Sequence, residues 1–438
     1  MAVDQFIIEP GAALKGETTV PGDKSISHRA VLFGALAQGT SQVRGWLAAG
    51  DTEASLRAVQ TLGIRVERHD KQSLTLHGGD LRASDVPLDL VNAGTGIRLL
   101  TGIMVGQSFA STLDGSEQLR RRPMNRIINP LRTMGADIEG TNGYAPLYVR
   151  PAHLRATRYD MPVASAQVKS ALILAGLYAD GETVITQPGP ARDHTERMLQ
   201  AMGADITVSD DGNTVRILPI VGSGALRPLD FTVPGDASSA AFPVVAALLV
   251  PGSSITLTNI NLNPTRTGIF DVLRAMGADI ALETTGMAAG DPVGRITVRH
   301  SALKGVEVGG DVVVRMIDEF PVFMIAALLA HGETIVRDAQ ELRVKETDRI
   351  AVMASELRKM GAVITELPDG FSITGGQALR GATVEGHDDH RIAMSLSIAG
   401  LVAEGVTHVH DAHCAADSFP GFAETLTAIG GHVRVEAL

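Results

Sequence analysis

The sequence predicts an α/β protein of two halves, each built from three copies of one unit roughly 70 residues long. Three observations predict it. An octamer recurs, as LRTMGADI from Leu131, LQAMGADI from Leu199, LRAMGADI from Leu273 and LRKMGAVI from Leu357. Weaker copies, VQTLGIRV from Val59 and LTAIGGHV from Leu426, bring the set to six. Their glycines, Gly63, Gly135, Gly203, Gly277, Gly361 and Gly430, are spaced by 72, 68, 74, 84 and 69 residues. Finally, VPGD occurs twice, at 20–23 and 233–236, and divides the six copies three and three.

Each copy carries the same elements in the same order. Apolar residues at helical spacing, as in Ile127, Ile128, Leu131 and Met134, predict a helix. The glycine suits the left-handed position that stops it. An alternating apolar segment then predicts a strand, and a second strand-like run follows, such as SLTLHG or TVRILP. Another helix comes next. Helix–Gly–strand turns look alike in many α/β proteins, but three near-identical octamers at regular spacing favour duplication. The unit is too long for a typical solenoid repeat. Residues 23–233 hold three copies and form one expected domain. Residues 1–22 joined to 234–438 hold the other three and form a discontinuous one. The crossings near 20–23 and 233–236 carry Pro-Gly, which suits sharp, hinge-like turns.

Bulk composition narrows the function. The 438 residues are 45% apolar, enough for two or three cores. Aromatics are 4% and glycines number 47, which favours tight turns and close helix–sheet packing. A net charge of −11 argues against nucleic acid or an anionic membrane as partner. A small anionic substrate stays open, because local charge decides that. Cys414 is the one cysteine, so no intramolecular disulfide can form and a reducing compartment fits. The start, MAVDQFIIEPG, has no basic n-region or long apolar h-region. No segment approaches the ~18 uninterrupted apolar residues of a membrane helix. A soluble, cytoplasmic monomer is expected.

Charged residues cluster where helices should begin. DKSISHRAVLFGALAQG puts Lys24, Ser25 and Arg29 at the start of an apolar-periodic helix. Basic residues there oppose the helix dipole, so an anion that uses the free N–H groups explains them better than chance. NAGTGIRLL, at 92–100, offers Gly94, Gly96 and Arg98 in a second small-residue helix start. QLRRRPMNRIINPL sets Arg122 before Pro123, read as the first helical position. SAQVKSALILAG carries Ser165, Gln167 and Lys169 in an otherwise apolar helix. MIDEFPVFMIAALLA places Asp318 and Glu319 against an apolar run, where carboxylates should be paired or have raised pKa values. ELRVKETDRI packs Arg343, Lys345, Glu346, Asp348 and Arg349 together, and DDHRIAMSLSIAG starts with Asp389, His390 and Arg391. Arginines in both halves suit bidentate contacts to phosphate and carboxylate. HDDH at 387–390 and HDAHC at 410–414 match no standard zinc spacing, so no metal is expected.

These motifs, in order along the chain, resemble the 5-enolpyruvylshikimate-3-phosphate synthase family. PGDKSISHR, NAGTGIRLL, RRPM, SAQVKSALILAGL, RDHTERML, IDEFP, LRVKETDR, DDHRIAM and SFPGF carry the resemblance. The spellings SAQVKSA and IDEFP look like its class II branch. The resemblance implies a two-domain inside-out α/β barrel of six βαβαββ-like repeats, three per domain, whose domains close over substrates in the cleft between them. It implies transfer of the enolpyruvyl group of phosphoenolpyruvate to the 5-hydroxyl of shikimate 3-phosphate, with release of phosphate and no cofactor. Shikimate 3-phosphate would be held by Lys24, Ser25, Arg29, Ser165, Gln167, Arg192, Asp318 and Lys345, and by the backbone of Ala166, where other members have serine. Phosphoenolpyruvate would be held by Lys24, Gly94, Arg122, Gln167, Arg349 and Arg391.

The implied reaction moves protons at two atoms. The 5-hydroxyl loses one while C3 of phosphoenolpyruvate gains one, giving a tetrahedral ketal; elimination then removes a C3 proton and expels phosphate. Asp318 is the expected base, with Glu346 and Lys24 the candidates at C3. Some positions depart from the family pattern. Asp417 stands where many members carry lysine, and Leu99 replaces a proline seen elsewhere. Gly94 keeps the small residue that resemblance links to glyphosate sensitivity. Two rival readings fit the sequence less well. Enolpyruvyl transfer to a UDP-sugar goes with a cysteine on a loop of the first domain, and Cys414 falls too late. An anion-binding scaffold without chemistry leaves the carboxylates beside the cations unexplained.

Overall fold

The computed structural model describes residues 5–220 and 226–436. All six repeat glycines have positive φ, from 90° at Gly63 to 104° at Gly430. The amide of Gly63 donates to the Gln60 carbonyl at 2.9 Å, and that of Ile64 to the Val59 carbonyl at 3.1 Å. The same two bonds close the helices at the other five glycines. This is the Schellman arrangement, which satisfies carbonyls left over at a helix end. The recurring octamer is thus a stop signal: its first residue, leucine in five copies and Val59 in the other, is buried in the core, and its carbonyl accepts the bond that spans more residues.

Among the described residues, the strands form six four-stranded sheets of one pattern. One repeat shows it in chain order: strand Arg158–Asp160, helix Ala166–Gly176, strand Thr183–Thr186, helix His194–Ala201, then strands Ile206–Val208 and Thr214–Ile217. The first two strands run parallel, joined through a helix as parallel pairing requires. The last strand pairs antiparallel with both Thr183–Thr186 and Ile206–Val208. The result is βαβαββ.

Three sheets complete themselves with a strand from far away in sequence. Lys15–Thr18, which precedes the first VPGD, pairs with Ser254–Asn261, which follows the second. Conversely, Asp230–Thr232 precedes the second VPGD and pairs with Gly39–Arg44, which follows the first. Gln5–Glu9 lies between Thr407–His410 and His432–Glu436 and fills the last position of the sixth repeat.

The chain divides into two compact units. A split unit comprises the segment up to Pro21, Pro234–Gly286 and the chain from Pro292 onward. A central unit comprises Gly22–Val233 with Met287–Asp291. Each has its own buried apolar core, around Phe242, Phe320 and Phe323 in the split unit and around Phe33, Trp46 and Leu172 in the central one. Among the described residues, no helix is long and apolar enough to cross a membrane.

Both VPGD aspartates start helices. Asp23 accepts from the Ile26 amide at 3.0 Å and caps Lys24–Leu36; Asp236 accepts from the Ser238 amide at 2.8 Å and caps Ala237–Leu249. Gly22 answers to packing, since a Cβ there would stand 2.0 Å from the Gly45 carbonyl oxygen. One boundary differs from the sequence reading. The helix after Arg122 begins at Asn125 with Met124 as its cap, so Pro123 lies two residues ahead of the first helical position. Met124 can stand there because its amide is satisfied by the Gly143 carbonyl at 2.8 Å.

Candidate active site

In the central unit the helix starts bring most of the expected residues into two polar clusters. The first surrounds Arg29, which is only 3% exposed. Its Nη1 donates to the Ser25 carbonyl at 2.9 Å, one helical turn back. Its Nε donates to Thr195 Oγ1 at 2.8 Å and its Nη2 to Ser170 Oγ at 2.9 Å. Burial pulls the Arg29 pKa down to about 10, against the opposing pull of Glu196. Beside it, Lys169 Nζ stands 2.7 Å from Glu196 Oε1, both side chains almost wholly buried. Arg192, half-buried, sits just ahead of the His194–Ala201 helix and adds positive charge near Arg29.

The second cluster forms around Arg98, at the Gly94–Met104 helix. Arg98 Nη1 donates to the Gly94 carbonyl at 3.0 Å and to Gln167 Oε1 at 2.9 Å. Its Nη2 donates to the Pro123 carbonyl at 3.4 Å, and Gln167 Nε2 donates to Thr95 Oγ1 at 3.1 Å. A Cβ at Gly94 would lie 2.7 Å from Arg122 Nη1 and 3.1 Å from Arg98 Nη1, so both guanidiniums crowd this glycine. Ser165 is the cap position of the Ala166–Gly176 helix without a side-chain cap bond, and Ala166 is its first residue. Lys24 begins its own helix and pairs with Asp51 at 2.6 Å, each side chain about one-fifth exposed. One turn further, His28 is fully buried with Nδ1 2.8 Å from Ser55 Oγ. Burial pushes the His28 pKa down to about 3, despite the pull of Asp51.

In the split unit one guanidinium gathers the carboxylates. Arg349, 2% exposed, opens the Arg349–Lys359 helix. Its Nε donates to Asp389 Oδ2 at 2.9 Å, its Nη2 to Asp389 Oδ1 at 3.2 Å and to Glu346 Oε2 at 2.8 Å, and its Nη1 to Asp318 Oδ1 at 3.4 Å. Burial alone would lower the Arg349 pKa, but Asp389, Glu346 and Asp318 outweigh it and raise it. For Asp389 burial acts upward, yet Arg349 holds its pKa below the ordinary value. Lys345 Nζ lies 3.7 Å from Asp318, and Arg391 Nη1 lies 4.0 Å from Glu319. Asp389 also caps the His390–Gly400 helix through the Arg391 amide at 3.0 Å and accepts from Thr347 Oγ1 at 3.1 Å.

Asp318, Glu346, Lys345 and Arg349 therefore form one contiguous group, and Gly94, Arg122 and Gln167 another. Arg98, Asp389, Lys169 and Glu196 were absent from the expected ligand set, although all lie inside the quoted motifs. Their signal was a charged residue within an apolar helix run, or an aspartate at a helix start. Among the described residues, two groupings could offer metal-ligand atoms, Asp193 with His194 and Asp291, and Asp388 with Asp411 and His413. The first has the Arg197 guanidinium 2.7 Å from Asp193, and the second pairs His413 with Asp388 at 3.2 Å, so ion pairs account for both.

Paired sets of βαβαββ repeats with cations at helix starts define a repeat-built α/β protein equipped for small anions. Comparisons make the class specific. The sequence model of EPSP synthase (3-phosphoshikimate 1-carboxyvinyltransferase) matches residues 8–426. The 3-phosphoshikimate 1-carboxyvinyltransferase of Geobacter sp. strain M21 is 48% identical over 432 residues, 98% of this chain and 99% of that one. The enzyme of that name from Geobacter sulfurreducens is 51% identical over 426 residues, 96% and 98% of the two chains. The solved EPSP synthase of Acinetobacter baumannii matches with a TM-score of 0.89 and 43% identity, covering 99% of this chain and 100% of the other. The chain belongs to the EPSP synthase family, and its fold is that family's two-domain inside-out α/β barrel.

Proposed function

We propose that the protein transfers the enolpyruvyl group of phosphoenolpyruvate to the 5-hydroxyl of shikimate 3-phosphate and releases phosphate, a step of the shikimate pathway. One observation within the chain carries the reading: a single buried guanidinium, Arg349, holds both Asp318 and Glu346, at 3.4 and 2.8 Å. A reaction that moves protons at two atoms needs two such groups in fixed relation.

In this reading Asp318 takes the hydroxyl proton as the oxygen bonds to C2 of phosphoenolpyruvate. Glu346 or Lys24 delivers a proton to C3, and the same position gives it up when the C2–O bond to phosphate breaks. Arg349, Arg391 and Arg122 stabilise charge on the departing phosphate. Lys24, Ser25, Arg29, Ser165, Ala166, Gln167, Arg192, Asp318 and Lys345 hold shikimate 3-phosphate; Lys24, Gly94, Arg122, Gln167, Arg349 and Arg391 hold phosphoenolpyruvate. The protein acts as a cytoplasmic monomer.

The test is phosphate release from phosphoenolpyruvate with shikimate 3-phosphate, unphosphorylated shikimate or UDP-N-acetylglucosamine as acceptor. Release with shikimate 3-phosphate alone is expected. Release with the UDP-sugar instead, or no release with any of the three acceptors from folded protein, would overturn the reading.

A further inference from the structure

We propose that the buried Lys169–Glu196 ion pair is a positioning element for the two arginines assigned to shikimate 3-phosphate, Arg29 and Arg192. The inference rests on that functional reading. Lys169 lies in the Ala166–Gly176 helix, whose interior is otherwise apolar or small, and Glu196 in His194–Ala201. Burying both charges is costly, and a well-packed apolar pair often serves stability as well or better. Stability therefore does not explain the pair, whereas its contacts do.

The residue after Lys169 and the residue before Glu196 repeat the link: Ser170 Oγ lies 2.7 Å from Thr195 Oγ1. Those two hydroxyls are the ones that receive Arg29 Nη2 and Nε. The ion pair thus fixes the register of the two helices that aim the guanidinium. Lys169 Nζ also donates to the Ala191 carbonyl at 3.2 Å, the residue directly before Arg192. One ammonium therefore ties the backbone that carries Arg192 to the helix bearing Ser165 and Gln167 at its start. Gly94 is reached only indirectly, through Gln167 and Arg98, which hold each other and Thr95 without help from the ion pair.

A purely structural pair and a positioning pair differ in one readout. The double variant Lys169→Met/Glu196→Leu removes both charges and keeps apolar volume, so it is expected to fold. Its KM for shikimate 3-phosphate should rise ~10-fold, the scale of a sub-ångström misplacement of a binding group. Its KM for phosphoenolpyruvate should stay within about twofold of the wild type. The Arg29 Nε–H resonance, read by 15N NMR without substrate, should shift. An unchanged KM for shikimate 3-phosphate, or an equal loss in both KM values, overturns the proposal. If the double variant does not fold, Glu196→Asp, which keeps the charge and withdraws it by one methylene, gives the same split or overturns it. Wild-type protein that turns over nothing would remove the functional reading instead, and the Arg29 resonance would still decide the positioning.

Discussion

Gly94 and Asp318 are the residues whose replacement speaks most directly to the chemistry. An added Cβ at Gly94 would push against Arg122 and Arg98, whose long side chains can yield only by leaving their present positions. Gly94→Ala should therefore raise the KM for phosphoenolpyruvate about tenfold while the melting temperature hardly moves. A variant with wild-type KM would show that Arg122 does not face this ligand. Asp318→Ala should lower kcat by ~10²-fold or more in a phosphate-release assay. Normal turnover by the folded variant would shift the base to another group. Lys24, Arg29, Arg349 and Arg391 stand out in the sequence because a lysine or arginine at a helix start opposes the dipole and asks for an anion. Arg98 and Lys169 stand out too, but their partners and Glu196 do not, because a lone charge inside a helical run looks the same whether it faces solvent or a buried partner. Only the tertiary packing makes Arg98 the bridge among three motifs.

Helix ends and strand partners are unequally legible in the sequence, for a physical reason. A helix end is a local object: the glycine with positive φ and the two amides that bond back are contained in six residues. Six such ends could be counted along the chain. A strand's partner is not local. Nothing in Asp230–Thr232, only three residues long, points to Gly39–Arg44, and nothing in Gln5–Glu9 points to the sheet it joins. The stop signals can be tested one at a time. Gly361 has φ of 91°, and a Cβ there would meet nothing within 4 Å. Gly361→Ala should then cost only the backbone term, about 1–2 kcal/mol in urea unfolding. Gly135→Ala should cost more, because its Cβ would also lie 2.8 Å from the His153 carbonyl oxygen. Equal losses at both would mean that the neighbouring backbone gives way.

Taken as a whole, the molecule should lose stability towards acid in two windows. His28 is pushed below its ordinary value of 6.5 to about 3, so between these values the unfolded chain binds the proton that the folded one refuses. Its contribution is complete above pH 6.5 and falls as pH drops towards 3, with a slope approaching ~1.4 kcal/mol per pH unit. Asp389 is depressed below 3.8; its contribution is complete above that value and is lost further down, as pH falls through the folded pKa. Urea unfolding of His28→Asn between pH 7 and 4 should show a flatter dependence than the wild type. An unchanged slope would assign the acid sensitivity elsewhere. The exchanged edge strands have a further consequence, for synthesis. The partners of Asp230–Thr232 lie behind it in the chain, so its sheet can form as soon as it emerges. Gln5–Glu9 has the opposite fate. It leaves the ribosome about 400 residues before Thr407–His410 and His432–Glu436 exist to receive it. At roughly 5–20 residues per second, this apolar ribbon waits tens of seconds with both edges unpaired. The nascent chain at that stage is a natural client for a holding chaperone, whichever half has already folded.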